Sequence, residues 1–166
     1  TALELLGSHW SRLVRSQLLH AQLPRIFAYA LRARAALAAA AAGVVGSPER
    51  RRFLREAGKY TRRVEREKMQ WSEGWVLLLR AGQTAETGEQ NAAIELLERA
   101  ENALEIASMP QFAAAARRRR GEILGGEVGS RLLVESDRWM RSQEVSNPAR
   151  LADMLAPGGW RRLAQD

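Results

Sequence analysis

The stretch Trp71–Ala107, WSEGWVLLLRAGQTAETGEQNAAIELLERAENALEIA, decides the fold. In its first half Trp71, Trp75, Leu78, Leu79 and Gly82 recur at three- and four-residue steps. In its second half Ala93, Leu96, Leu97, Ala100, Leu104 and Ala107 do the same. That is the period of an α-helix with one face turned to a core. Gly88 stands between the two stripes, and glycine is the residue favoured just past a helix C-terminus. The stretch therefore predicts two helices, over 71–86 and 89–107, folded back on each other through a tight turn.

The same pattern extends in both directions. Leu3, Leu6, Trp10, Leu13, Val14 and Leu18 predict a helix over 2–21. Phe27, Ala30, Leu31 and Leu37 predict one over 24–43, and Phe53, Ala57, Tyr60 and Val64 one over 48–67. Helices over 110–124 and 127–144 follow, with a short eighth over 148–155. Pro24, Pro48, Pro110 and Pro148 fall at predicted starts, where the missing N–H is not needed. Ser47, ahead of Pro48 and Glu49, reads as an N-cap. Glu95 with Arg99, Glu127 with Arg131 and Asp137 with Arg141 are spaced to pair one turn apart.

Composition agrees. Valine, isoleucine, threonine, tyrosine and phenylalanine, the usual material of strands, are scarce, while alanine, leucine, arginine and glutamate dominate. At 46% hydrophobic and 27% charged the chain has the make-up of a globular domain rather than a disordered tail. The absence of cysteine excludes disulfides, thiolate zinc sites and a cysteine nucleophile. No apolar run reaches the roughly 20 residues of a bilayer span, and no signal peptide is visible. The expected location is cytoplasmic. A start at Thr1 rather than methionine points to a piece of a longer chain. The net charge of +7 raises nucleic acid as a ligand, although mixed signs along most segments favour an ordinary solvated surface. All cations but Lys59 and Lys68 are arginines, the usage of a GC-rich genome.

The glycine breaks recur. Gly46, Gly88 and Gly126 lie 42 and 38 residues apart, and each period holds two helices, the pattern of a helical solenoid. In GEQNAAIELLERA, Gly88–Ala100, a turn glycine is followed by a small residue, Ala93, a bulky one, Leu97, and Ala100. This resembles the tetratricopeptide repeat, with Ala81 at its small first-helix position and Gly121 in the same role later. The period of about 40 exceeds the repeat's usual 34. The resemblance implies an all-α, antiparallel helical hairpin array, a TPR-like α-solenoid of about seven helices with a right-handed superhelical tendency. The match is close over roughly 71–107 and loose elsewhere, and one domain is expected over 1–166, with 156–166 as a C-terminal tail.

A narrower resemblance runs from about Arg50 to Trp160. VEREKMQW, LLLRAG, AIELLERAENALEIASM, AAAARRRRGEILGGEVG, LVESDRWM and NPARLADMLAPGGW occur in this order. Together they resemble the C-terminal tetratricopeptide-like region of large bacterial serine/threonine protein kinases of the myxobacterial type. This implies a regulatory or docking segment placed after kinase modules, with no catalytic residue in it. Glu67–Gln70 departs from the glycine and proline expected there, which predicts a helix lengthened across that turn.

The remaining motifs are weighed as chemistry. GEILGGEVG, Gly121–Gly129, lacks the preceding strand and the Gly-Lys-Ser/Thr ending of a phosphate loop, and helix ends account for its glycines better. His9 and His20 are eleven apart and match no metal spacing, and no nucleophile motif occurs. No metal, cofactor or enzymatic activity is expected. Trp10, Trp71, Trp75 and Trp139 fall on apolar stripes and read as core, and Trp160 either folds back or is exposed. Arg117–Arg120 turn by about 100° each on a helix, so they cannot form one patch. Arg118 is placed to pair with Glu122, and at least one of the four must lie against a neighbouring helix.

The expected function is a non-catalytic interaction scaffold for a protein or peptide, acidic in character, or for upstream domains of the same chain. On the assumption that the helices over 48–67, 71–86 and 110–124 line a concave face, the candidate contacts are Arg52, Arg55, Lys59, Arg63, Arg80, Thr84, Arg117 and Arg120. The alternative is nucleic-acid binding through the basic face, and a third reading is an oligomerisation element.

Overall fold

A computed structural model describes residues 2–160, and these form an all-helical array with no strand among them. The helices are α1 (Ala2–Arg15), α2 (Gln22–Ala42), α3 (Pro48–Arg66), α4 (Glu73–Thr87), α5 (Gln90–Ile106), α6 (Pro110–Leu124), α7 (Gly126–Ser142) and α8 (Pro148–Leu155). Single turns of 3₁₀ helix, Leu18–His20 and Gln70–Ser72, lead into α2 and α4. Three hairpins, α2/α3, α4/α5 and α6/α7, pack in chain order, while α1 lies on α2 and α8 crosses α6, α7 and α2.

Two kinds of turn alternate along the chain. Inside the hairpins the left-handed residues are glycines: Gly46, Gly88, Gly125 and Gly126, with φ of 79°, 87°, 60° and 56°. At the other junctions the left-handed residue carries a side chain: Gln17, Lys68, Ser108 and Glu144. After Ser108 and Glu144 the next amide donates back five residues, Met109 to the Leu104 carbonyl (2.8 Å) and Val145 to that of Met140 (3.1 Å). Met109 and Val145, and Met69 after Lys68, pack against the core. This is the Schellman closure with its hydrophobic contact, made without glycine.

Two expectations are corrected at these turns. The first helix does not run over 2–21: it stops at Arg15, and Gln17 turns left-handed at φ 61° before Leu18 resumes the apolar stripe. The departure at Glu67–Gln70 does not lengthen α3, because Lys68 adopts φ 51° and ends the helix as glycine would. Ser47 caps α3 as expected, accepting from the Arg50 amide at 3.1 Å. Of the three one-turn ion pairs only Asp137–Arg141 forms, at 3.8 Å.

The core follows the predicted stripes. Ala81, Ala93, Leu97, Ala100 and Leu104 are fully buried. Helix α6 is the most enclosed: Ala113, Ala114, Ala115 and Ala116 are all buried, whichever way they point around the axis. Four methyl-sized side chains let neighbouring helices approach it from every side. Close approach continues at Gly121 and Gly129, where a Cβ on Gly121 would sit 2.8 Å from the Gly129 carbonyl oxygen. The four glycines of GEILGGEVG thus serve one backbone contact and one turn. Of the tryptophans Trp75 is buried, and Trp10, Trp71 and Trp139 are half-buried against the two core clusters. Trp160 is 2% exposed, so the chain does not leave the fold at residue 156. The rest of the expected tail, 161–166, lies outside the described residues.

Candidate interaction surface

The arginines of α6 radiate to different neighbours. Arg117 pairs with Glu101 (2.6 Å) and Glu105 (2.8 Å) of α5, and Arg120 with Glu101 (3.1 Å) and Glu98 (3.4 Å). Arg118 pairs with Glu122 on its own helix and with Asp137 of α7 at 2.9 Å. Arg119, 3% exposed, donates to the Ala156 carbonyl (3.0 Å), to Glu122 (2.7 Å) and to Asp153 of α8 (2.6 Å). The run is a hub fastening α5, α7 and α8 to α6.

Other arginines bridge helices in the same way, beyond the reach of one-turn spacing along a single helix. Arg25 grips Glu67 with both forks at 2.6 and 2.7 Å, tying the start of α2 to the end of α3. The hydrogen bond from Arg25 is the main reason the Glu67 carboxyl is held below the usual carboxylate range. Arg32 meets Glu56 at 2.7 Å, and buried Arg50 meets Glu86 at 2.5 Å.

Against this background the eight predicted contacts separate. Arg117 and Arg120 are occupied on α5, and Arg80 pairs with Glu65 at 2.6 Å. Half-buried Thr84 accepts at its carbonyl from the Gly88 amide. The remaining four lie on α3, which is the second helix of its hairpin, since the Gly46 turn joins it to α2. The helices that come first in their hairpins are α2, α4 and α6, so the assumption that grouped these residues on one concave face does not hold. Arg63 stacks over Tyr29 and Tyr60, each ring centroid 5.2 Å away, and Lys59 reaches Tyr60 at 5.6 Å. Arg52 makes a long contact of 3.7 Å with Glu49 in its own first turn. Arg55 is exposed and makes no ion pair with the described residues.

Helix α3 itself holds the charge. It has eight basic residues against three glutamates, a net of +5 where the whole chain has +7. Each glutamate already has an arginine: Glu56 has Arg32, Glu65 has Arg80 and Glu49 has Arg52. Arg55, Lys59, Arg62 and Arg66 are left facing solvent. Arg62 and Arg66 were not among the predicted contacts, although their spacing from Arg55 and Lys59 puts them on the same side of the helix. The end of this face adjoins an open cleft of about 390 Å³ lined by Glu65, Lys68, Arg80 and Arg99 among others.

The face made by α2, α4 and α6 has a different character. Phe27, Trp71, Trp75 and Phe112 form a contiguous row with ring centroids 5.0–6.1 Å apart. Part of this face is covered by the chain itself. Gly82 is bare because a Cβ there would overlap the Pro157 carbonyl oxygen and stand 2.6 Å from Leu37 Cδ2. Trp160 folds back so that its indole N–H donates to the Ala156 carbonyl at 2.8 Å.

Among the described residues no three His, Asp or Glu side chains gather as a metal-binding group, and no helix is long and apolar enough to cross a membrane. Comparison with known protein families, curated proteins and solved structures returns no match.

Proposed function

We propose that the chain is a non-catalytic interaction scaffold that docks an acidic protein surface or peptide on the solvent face of α3. The observation that carries this reading is the uncompensated charge of that helix. Its own glutamates are engaged, so Arg55, Lys59, Arg62 and Arg66 have only solvent to neutralise them. Such a row gains most from a partner that brings carboxylates, and complementary charge raises the rate of encounter as well as specificity. The hairpin framework beneath is cross-linked by ion pairs, which suits a rigid platform. The resemblance to bacterial kinase C-terminal regions proposes upstream domains of the same chain as a partner and the cytoplasm as the place.

Titration of the chain with a Glu/Asp-rich peptide, followed by amide chemical shifts, should move residues of α3. The triple reversal Arg55→Glu, Lys59→Glu, Arg62→Glu should abolish the movement without changing the fold. Unchanged binding in that variant would defeat the reading. Nucleic acid is the competing ligand for the same row. A mobility shift with duplex or single-stranded DNA that weakens steeply with salt would favour it.

A further inference from the structure

On α2, Leu23, Phe27, Leu31 and Arg34 succeed one another at steps of four, four and three, along one side of the helix. The three apolar side chains remain half exposed, at 57%, 49% and 46%. Phe27 sets its ring edge-on to Trp75, with centroids 5.0 Å apart, and Trp75 in turn contacts Phe112 at 5.4 Å. Arg34 closes this row. Its guanidinium carbon stands 5.4 Å from the Phe112 centroid and 5.9 Å from that of Trp75.

Apart from Arg63, which stacks on Tyr29 and Tyr60, Arg34 differs from the other arginines that enter helix interfaces. Arg25, Arg32, Arg50 and Arg117–Arg120 each hold a carboxylate. Arg34 holds no carboxylate and no carbonyl among the described residues, although burial withdraws much of its head from water and lowers its pKa. Next to it the Trp75 indole N–H is buried without an acceptor. Two donors without acceptors meet at the end of an apolar strip. The rings of Phe112 and Trp75 offset part of the cost of the desolvated cation, and an anion beside it would offset more. The gap among Ala30, Arg34, Trp75, Phe112 and Leu155 is about 10 Å³, room for one oxygen atom. Only an anion would neutralise the guanidinium.

The same helix already carries a segment of the chain itself. Farther along, Ala38, Ala41 and Ala42 border a hollow whose other wall is the chain's own Pro157–Trp160, a bent segment set against α2 and α4. The strip from Leu23 to Arg34 is the uncovered continuation of that track. We propose that it is a recognition subsite for a peptide carrying a carboxylate next to an apolar side chain. The apolar group lies on Phe27 and Leu31, and the carboxylate pairs with Arg34. The subsite is separate from the basic face of α3.

The test uses the full chain with two small probes, 4-phenylbutyrate and its neutral amide, followed by the Trp75 indole N–H signal and the amides of residues 23–34. The acid should bind roughly tenfold more tightly than the amide. Arg34→Met keeps the stem over the rings and removes the charge. It should erase the difference between the probes while leaving the urea midpoint unchanged or higher. Equal binding of acid and amide overturns the proposal, as does an acid that moves no signal up to its solubility limit. Shifts confined to α3 would assign the carboxylate to the basic face instead and also overturn it. A midpoint that falls in Arg34→Met would show that the arginine holds the fold rather than a ligand.

Discussion

Four identical side chains in succession make a controlled experiment, because Arg117–Arg120 differ only in what they reach. Arg119 is buried and holds α8 through the Ala156 carbonyl and Asp153. In Arg119→Ala the Ala156 oxygen keeps its bond from Trp160, and Glu122 keeps Arg118, so no acceptor is orphaned. What is lost is a charge-assisted bond to a buried carbonyl, about 1.5 kcal/mol, part-exposed pairs with Glu122 and Asp153, about 0.5 kcal/mol each, and about 2 kcal/mol of buried stem. Relief from desolvating the guanidinium offsets part of this. The expected net loss is about 2–3 kcal/mol. Arg118→Ala removes two part-exposed pairs and should cost about 1 kcal/mol. Arg117→Ala and Arg120→Ala should each cost about 0.5–1 kcal/mol, because both hold Glu101 and either can serve alone. Their double substitution leaves a carboxylate that is only 8% exposed with neither of these partners, so it should exceed the sum of the singles by about 1–2 kcal/mol. Urea unfolding followed by tryptophan fluorescence gives all five values. Equal costs at the four positions, or an additive Arg117/Arg120 pair, would refute the assignment of distinct partners.

Three further outcomes follow. Leu97→Ala, at a fully buried position, should cost about 2–5 kcal/mol in the same unfolding assay, since a helix array locked by ion pairs collapses poorly around a cavity. Lys68→Gly should stabilise by about 0.5–1 kcal/mol, because Lys68 already adopts the left-handed conformation that glycine takes without strain. Glu67 has a depressed folded pKa, so its contribution is complete above the ordinary carboxylate value of about 4.3 and is lost as pH falls through the lower folded value. An NMR titration should show its midpoint return toward the ordinary value in Arg25→Met, with that part of the acid dependence removed.

The helices were legible because their stripes are strongly periodic, and the hairpin turns because glycine announces a left-handed residue. The other junctions were harder to see. Gln17 and Lys68 perform a glycine's task with side chains that give no warning, so one helix was drawn too long and a second was expected to run on. The apolar residue after each turn, Met69, Met109 or Val145, is the signal that was present. The surface was less legible than the core. Pairing rules along one helix predict Glu95–Arg99, but the arginines reach across to other helices, and tertiary distances are not written in local spacing. Arg80, Arg117 and Arg120 therefore looked free and are engaged. Arg34 sits between alanines in an apolar segment and drew no notice, because its distinction is a partner it lacks.

The preference for arginine also reads differently against the structure. Arginine fills nearly every basic position, exposed or not, as codon usage would supply it. The positions that bridge helices are all arginine, and the two lysines, Lys59 and Lys68, stand at exposed sites that bridge nothing. A planar fork can hold both oxygens of Glu67, as Arg25 does, or lie between two helices and a carbonyl, as Arg119 does, and it is less strongly hydrated than an ammonium. The geometry therefore requires arginine at the bridges, whatever the genome supplies. It leaves arginine unexplained on the outer face of α3, where Arg55, Arg62 and Arg66 make no bridge. There a lysine would serve the fold equally well.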